Sequence, residues 1–140
     1  MTSQVITRRY HRYVLDKSGA RDKVLLHGLV DRVPLERVHY EVAQANGKAP
    51  LQDVQRKPMN LIDTLVGERL FVIGNLIDNG ARFEPWNTPL PASIQRLRDM
   101  YIDGYNDPDT WQWACWLNLT TKGEHDCATA RKRLNSASGT

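Results

Sequence analysis

The stretch WQWACWLNLTTKGEHDCATA, Trp111 to Ala130, puts three tryptophans within six residues and follows them with Leu119-Thr120-Thr121-Lys122-Gly123. Alternation sorts its first half. Trp111, Trp113, Cys115, Leu117 and Leu119 share one side, and Gln112, Ala114, Trp116 and Asn118 share the other. A period of two with one apolar side predicts a sheet strand over 111–119, packed on helices, with its tryptophans as core. The chain then turns through 120–124. A C-terminal helix is predicted from about 122 to 134, carrying Lys122, Arg131, Lys132 and Arg133, with a frayed tail over 135–140.

Upstream of this strand the pattern is helical, apart from one hairpin. Ile6, Tyr10, Tyr13 and Val14 fall on one helical face with Arg8, His11 and Arg12 turned away, so residues 1–17 read as a basic helix or arm, a strand not being excluded. Ser18 is placed to cap a helix whose broad apolar face holds Val24, Leu25, Leu26, Leu29, Val30 and Val33. Pro34 opens a second helix with Leu35, Val38, Val42 and Ala45 inward, and Asn46-Gly47 is expected to close it in a left-handed cap. A third helix has Val54, Leu61, Ile62, Leu65 and Val66 inward. Pro58 predicts that it is regular only from about residue 58. After Gly67 the period becomes two, and Asp78-Asn79-Gly80 is a strong hairpin signal. A helix over 90–103 and the loop GYNDPD complete the interval before Trp111.

The 140 residues suit one domain, and 41% hydrophobic with 25% charged residues is ordinary globular composition. No apolar run approaches the roughly 20 residues of a membrane span, and the N-terminal stretch lacks the apolar core of a secretory signal. Two cysteines make no disulfide framework, so a reduced cytoplasmic setting is expected. The net charge of +3 is uneven. Residues 1–33 hold seven Lys and Arg against three Asp and Glu, residues 34–110 hold eight against eleven, and residues 111–140 hold four against two. Basic ends around an acidic middle allow a polyanionic partner at the ends, or only solubility.

The sequence holds no phosphate-cradling glycine loop, nucleophile elbow or His-Glu-x-x-His helix, and no enzyme is expected. Asp99, Asp103, Asp107 and Asp109 cluster without the alternation of a calcium loop. Cys115, His125 and Cys127 supply three zinc ligands where a structural site needs four, so neither metal nor cofactor is expected.

Three helices, a hairpin and a late strand ending in Leu119-Thr120-Thr121-Lys122-Gly123 make an order that resembles the winged helix-turn-helix superfamily. That phrase is similar to the Leu-Thr-x-x-Gly that closes the wing in many members. The run Asp63 to Gly74 is similar to a recognition helix entering the first wing strand. Phe83 to Trp86 and Cys115 to Leu117 are similar to elements of small actinobacterial and phage-borne proteins, a likeness of lineage that assigns no activity. The resemblance implies an α+β fold with a three-stranded wing sheet over residues 18–134, interrupted by a helical insertion at about 87–110. It implies a small regulator binding double-stranded DNA, with Gln52, Gln55, Arg56, Lys57 and Asn60 on the reading surface. Asn79 and Arg82 would lie on the wing, with Arg8, Arg9 and Arg12 on phosphates. The alternative is a protein-interaction module on the same fold, which the acidic middle favours. A homodimer through either terminal helix fits both readings.

Overall fold

The computed structural model describes residues 19–138 apart from Ala49, so the expected basic segment with Arg8, Arg9 and Arg12, and the Ser18 cap, lie outside the described residues. The order is α1 (Ala20–Val30), β1 (Val33–Pro34), α2 (Leu35–Ala45), α3 (Leu51–Gly67), β2 (Phe71–Ile77), β3 (Arg82–Pro85), α4 (Leu90–Arg98), α5 (Pro108–Trp111), β4 (Trp116–Leu119) and α6 (Thr121–Ser138). A π-helical turn, Asp99–Asp103, continues α4. The fold is α+β. Its sheet is antiparallel and has four strands in the order β1-β4-β2-β3, where three were expected. The fourth strand is β1, two residues long, with Val33 opposite Leu117 and Pro34 opposite Trp116. Two residues show no periodicity, which is why the sequence does not announce them.

Helix α1 buries Val24 and Leu25 fully, but Leu29 and Val30, expected in the core, are 44% and 87% exposed. The broad apolar face is thus only partly used. Its partner is α6, where Cys127 and Ala130 are small enough for close approach. Cys127 Sγ donates to the Leu25 carbonyl at 3.4 Å, and Arg133 grips buried Asp22 through Nε and Nη2 at 2.9 and 2.7 Å. Helix α6 continues to Ser138, four residues past the expected end.

Helix α2 starts at Leu35, with Pro34 as its cap, and buries Leu35, Val38 and Val42 as its stripe predicts. The expected left-handed cap is absent. Asn46 has φ −131°, and it closes the helix through its side chain, Nδ2 donating to the Val42 carbonyl at 2.8 Å. Helix α3 also departs from expectation: it is helical from Leu51, with Pro58 inside it. Pro58 removes one bond to the turn before it, at a typical cost of about 3 kcal/mol. Its ring is buried beside Met59, Ile62 and Leu65, and packing of that kind offsets the loss.

The largest correction falls on the tryptophans. Only Trp116–Leu119 is a strand. Pro108 is pre-set for a first helical turn, Thr110 Oγ1 donates to Asp107 Oδ2 at 2.5 Å, and Gln112 N–H reaches the Pro108 carbonyl at 2.9 Å. That turn carries Trp111 into the core at 4% exposure and leaves Trp113 at 52%. Cys115 and Leu117 are buried as alternation predicts.

Candidate nucleic-acid interface

Gln52, Arg56 and Asn60 recur every four residues along α3, which puts them in a line on one face, with Lys57 beside them. All four are exposed, and Gln55 on the flank is half-buried. The inward positions Met59, Ile62 and Leu65 are what turn this face to solvent. The face is not basic. Asp63 is exposed within the same stripe, and Arg56 Nη2 donates to Asp53 Oδ1 at 2.9 Å. Lys57 Nζ donates to Asn46 Oδ1 at 2.6 Å, tying α3 to the end of α2. Two cations and two carboxylates leave α3 neutral.

The other expected contacts lie on the β2–β3 turn. Asp78, Asn79 and Gly80 have φ of 53°, 56° and 88°, the left-handed conformations that Asn and Gly tolerate in tight hairpins. Asn79 and Arg82 are exposed, and Arg82 Nε donates to Asp78 Oδ2 at 2.7 Å. Arg56 and Arg82 therefore each already hold a nearby carboxylate, one within α3 and one in the hairpin turn.

The Leu119–Gly123 phrase has a structural explanation. Thr120 Oγ1 accepts from Gly123 N–H at 3.0 Å and donates to the Arg69 carbonyl at 2.6 Å, capping α6 and fixing it to the start of β2. A Cβ on Gly123 would lie 2.4 Å from the Leu70 carbonyl oxygen, so only glycine lets the helix sit this close.

The segment between β3 and β4 docks through an aromatic cluster. His39 of α2 lies 5.0 Å from Trp111 edge-on, and its Nδ1 shares a 2.5 Å hydrogen bond with the Tyr101 hydroxyl. Tyr105 stacks on Trp111 at 5.5 Å, and the Trp111 indole N–H donates to the Tyr105 carbonyl at 2.9 Å. Burial lowers the His39 pKa, more than the Glu36 charge raises it, and burial pushes the Tyr101 hydroxyl up. Burial also pushes the Cys115 thiol up, which suits a core residue and not a nucleophile.

Two features escaped the sequence reading. On the outer face of the sheet, Trp113 stacks on Trp116 at 5.6 Å with 19° between the rings. Trp116 pairs with Gly74, whose missing side chain leaves room for the Phe83 ring, and the Arg32 guanidinium lies 5.9 Å from that ring. The second feature is a groove of about 360 Å³ at the edge of β2, with Arg69 and Trp86 among its lining. Its residues come from three separate stretches of chain, 66–73, 86–93 and Thr120, so no single motif signals it. Among the described residues, no group of three or more His, Cys, Asp or Glu is placed to hold a metal ion, and no helix is long and apolar enough to cross a membrane.

A scan against protein-family models, a search of curated proteins and a search of solved structures gave no match.

Proposed function

We propose that this chain is a winged helix-turn-helix protein that binds double-stranded DNA, with α3 in the major groove and the β2–β3 turn against the backbone. The observation that carries this reading is the solvent face of α3. Gln52, Arg56, Lys57 and Asn60 are exposed together, and Gln, Asn and Arg are the residue types that pair with base edges. The sheet supports it. A short strand between the first and second helices pairs with β4, and β4 pairs with β2, which follows α3 directly. In this arrangement β3 and residues 86–115 elaborate the wing, and β4 is its return strand. The activity is an analogy from architecture joined to one helix face. A regulator of transcription is the role that follows from such binding.

A second reading, a protein-interaction module, is favoured by the exposed Trp113–Trp116 stack and by the carboxylates on Arg56 and Arg82. Aromatic residues are enriched at protein interfaces, and a neutral helix face attracts polyanions weakly.

Fluorescence anisotropy of a labelled random duplex at about 50 and 200 mM salt separates the two. Binding that weakens with salt and is crippled by Arg56→Ala with Lys57→Ala is expected. No binding at the lower salt removes the DNA reading and leaves the protein-interaction reading.

A further inference from the structure

We propose that Asn79, at the tip of the β2–β3 hairpin, is a site of spontaneous deamidation, and that the fold protects the chain's other Asn-Gly pair. The chain holds two such pairs, Asn46-Gly47 and Asn79-Gly80. Glycine has no Cβ to obstruct the approach of its nitrogen to the preceding side-chain amide. The glycine nitrogen gives its proton to hydroxide and attacks Asn Cγ. The new N–Cγ bond closes a five-membered imide as Cγ–Nδ2 breaks, and Nδ2 takes a proton from water and leaves as ammonia. Water then opens the imide. Addition at Cγ yields aspartate, and addition at the backbone carbonyl yields isoaspartate, whose main chain runs through Cβ and Cγ. Nothing is oxidised or reduced.

The two sites are held differently. Asn46 is half-buried and its carboxamide is bound at both ends. Its Nδ2 donates to the Val42 carbonyl at 2.8 Å, and its Oδ1 accepts from Lys57 Nζ at 2.6 Å. Turning Cγ onto the Gly47 nitrogen would break both bonds. Asn79 is exposed, and its side chain makes no hydrogen bond among the described residues. One constraint remains there. Gly80 N–H donates to the Ile77 carbonyl at 3.1 Å, so attack waits for the turn to open. Opening takes little. Residues 78–82 are all exposed, β3 is an edge strand of four residues, and the Arg82–Asp78 pair that closes the tip lies in solvent. Either product alters the tip. A carboxylate at 79 stands beside Asp78, which already holds Arg82. Isoaspartate also lengthens the main chain of the turn, which disturbs the pairing of Ile77 with Arg82. The new charge would also face phosphate, a consequence that rests on the DNA-binding reading, whereas the modification does not.

The test is peptide mass spectrometry of the full chain after incubation in mildly alkaline buffer at physiological temperature, with and without concentrated guanidinium chloride. No DNA is present, so failure here and failure of the DNA-binding reading are separate results. In the native chain Asn79 is expected to convert at least about tenfold faster than Asn46, giving both aspartate and isoaspartate. In denaturant the two are expected to convert at similar rates, since the fold is what distinguishes them. In the isoaspartate form, separated by charge and labelled with ¹⁵N, the Ile77 and Arg82 amide signals are expected to move while those of Val24 and Ala130 stay. An Asn79 that remains intact in the native chain, equal native rates at the two sites, a difference that persists in denaturant, or unmoved Ile77 and Arg82 signals would each overturn the proposal.

Discussion

At Gly123 the absence of a side chain decides where a helix can lie. The Leu70 carbonyl that a Cβ would strike also receives the Thr120 N–H at 3.0 Å, so it is not free to move aside. Gly123→Ala is expected to destabilise the fold by about 1–3 kcal/mol, read as a lower urea midpoint with unchanged slope. Two tryptophans two residues apart make a sharper comparison. Trp111→Ala should cost about 3–5 kcal/mol, because it empties the aromatic cluster around His39. Trp113→Ala should cost about 1 kcal/mol, since it loses mainly its stack on Trp116. Equal losses in thermal or urea unfolding would restore the continuous strand that alternation suggested for residues 111–119.

At the scale of elements, α2 serves as the dock for the segment between β3 and β4, and His39 makes the dock sensitive to acid. Its pKa is lowered from 6.5 by burial, so the folded state resists protonation more than the unfolded state does. The stability this brings is complete above about 6.5. It falls as pH drops from there towards the lowered value, where the unfolded chain binds the extra proton. The difference in melting temperature between pH 7.5 and pH 5.5 should therefore be larger in the native chain than in His39→Gln. Carboxylates elsewhere contribute equally to both chains and cancel. Helix α3 supports a different prediction. Asp53 holds Arg56 in a 2.9 Å pair with side chains 38% and 67% exposed, a bond of little value to stability. Asp53→Asn should leave stability nearly unchanged yet tighten duplex binding several-fold in the anisotropy titration, by releasing Arg56 and removing a charge that faces phosphate.

Elements with a strong period or a strong turn were readable from the sequence: Leu35, Val38 and Val42 of α2, Ile62 and Leu65 of α3 and the Asp78-Asn79-Gly80 hairpin lie where their residues predict, while Val54, Leu61 and Val66 are only half-buried and Met59 takes a core place unannounced. What was not readable depended on partners distant in the chain. Pro58 is tolerated because its ring is buried, which no helix propensity records. Trp113 is exposed because Pro108 and Asp107 set a helical turn that overrides the alternation following it. That Gln52, Arg56, Lys57 and Asn60 face solvent on α3 followed from the apolar stripe opposite them. The pairing of Arg56 with Asp53 on α3, and of Arg82 with Asp78 in the hairpin, concerns geometry, and the groove around Arg69 is assembled only once β2 and α4 meet.

For the whole molecule, a net charge of +3 is too small to drive strong non-specific binding, and the described part of the proposed interface offers Arg56, Lys57 and Arg82. Each phosphate neutralised contributes about −0.9 to the slope of log K against log salt. With Arg8, Arg9 and Arg12 changed to glutamine, the slope from these three should be no steeper than about −2.7. A much steeper value would move the interface away from α3 and the turn.

The strand order has a consequence for how the molecule is made. Strands β2 and β3 pair locally across a four-residue turn, but the inner strand β4, which joins β2 to β1, begins only at Trp116. A nascent chain emerging from the ribosome therefore carries the β2–β3 hairpin, with the side of β2 that faces β4 unfilled, until the 34 residues from Trp86 to Leu119 have been synthesised. Open strand edges of this kind invite pairing with other chains, and pairings of long sequence separation form slowly. Translation pauses before Trp116, or truncation there, should thus favour aggregation, and completion of β4 and α6 is the step that ends the exposure.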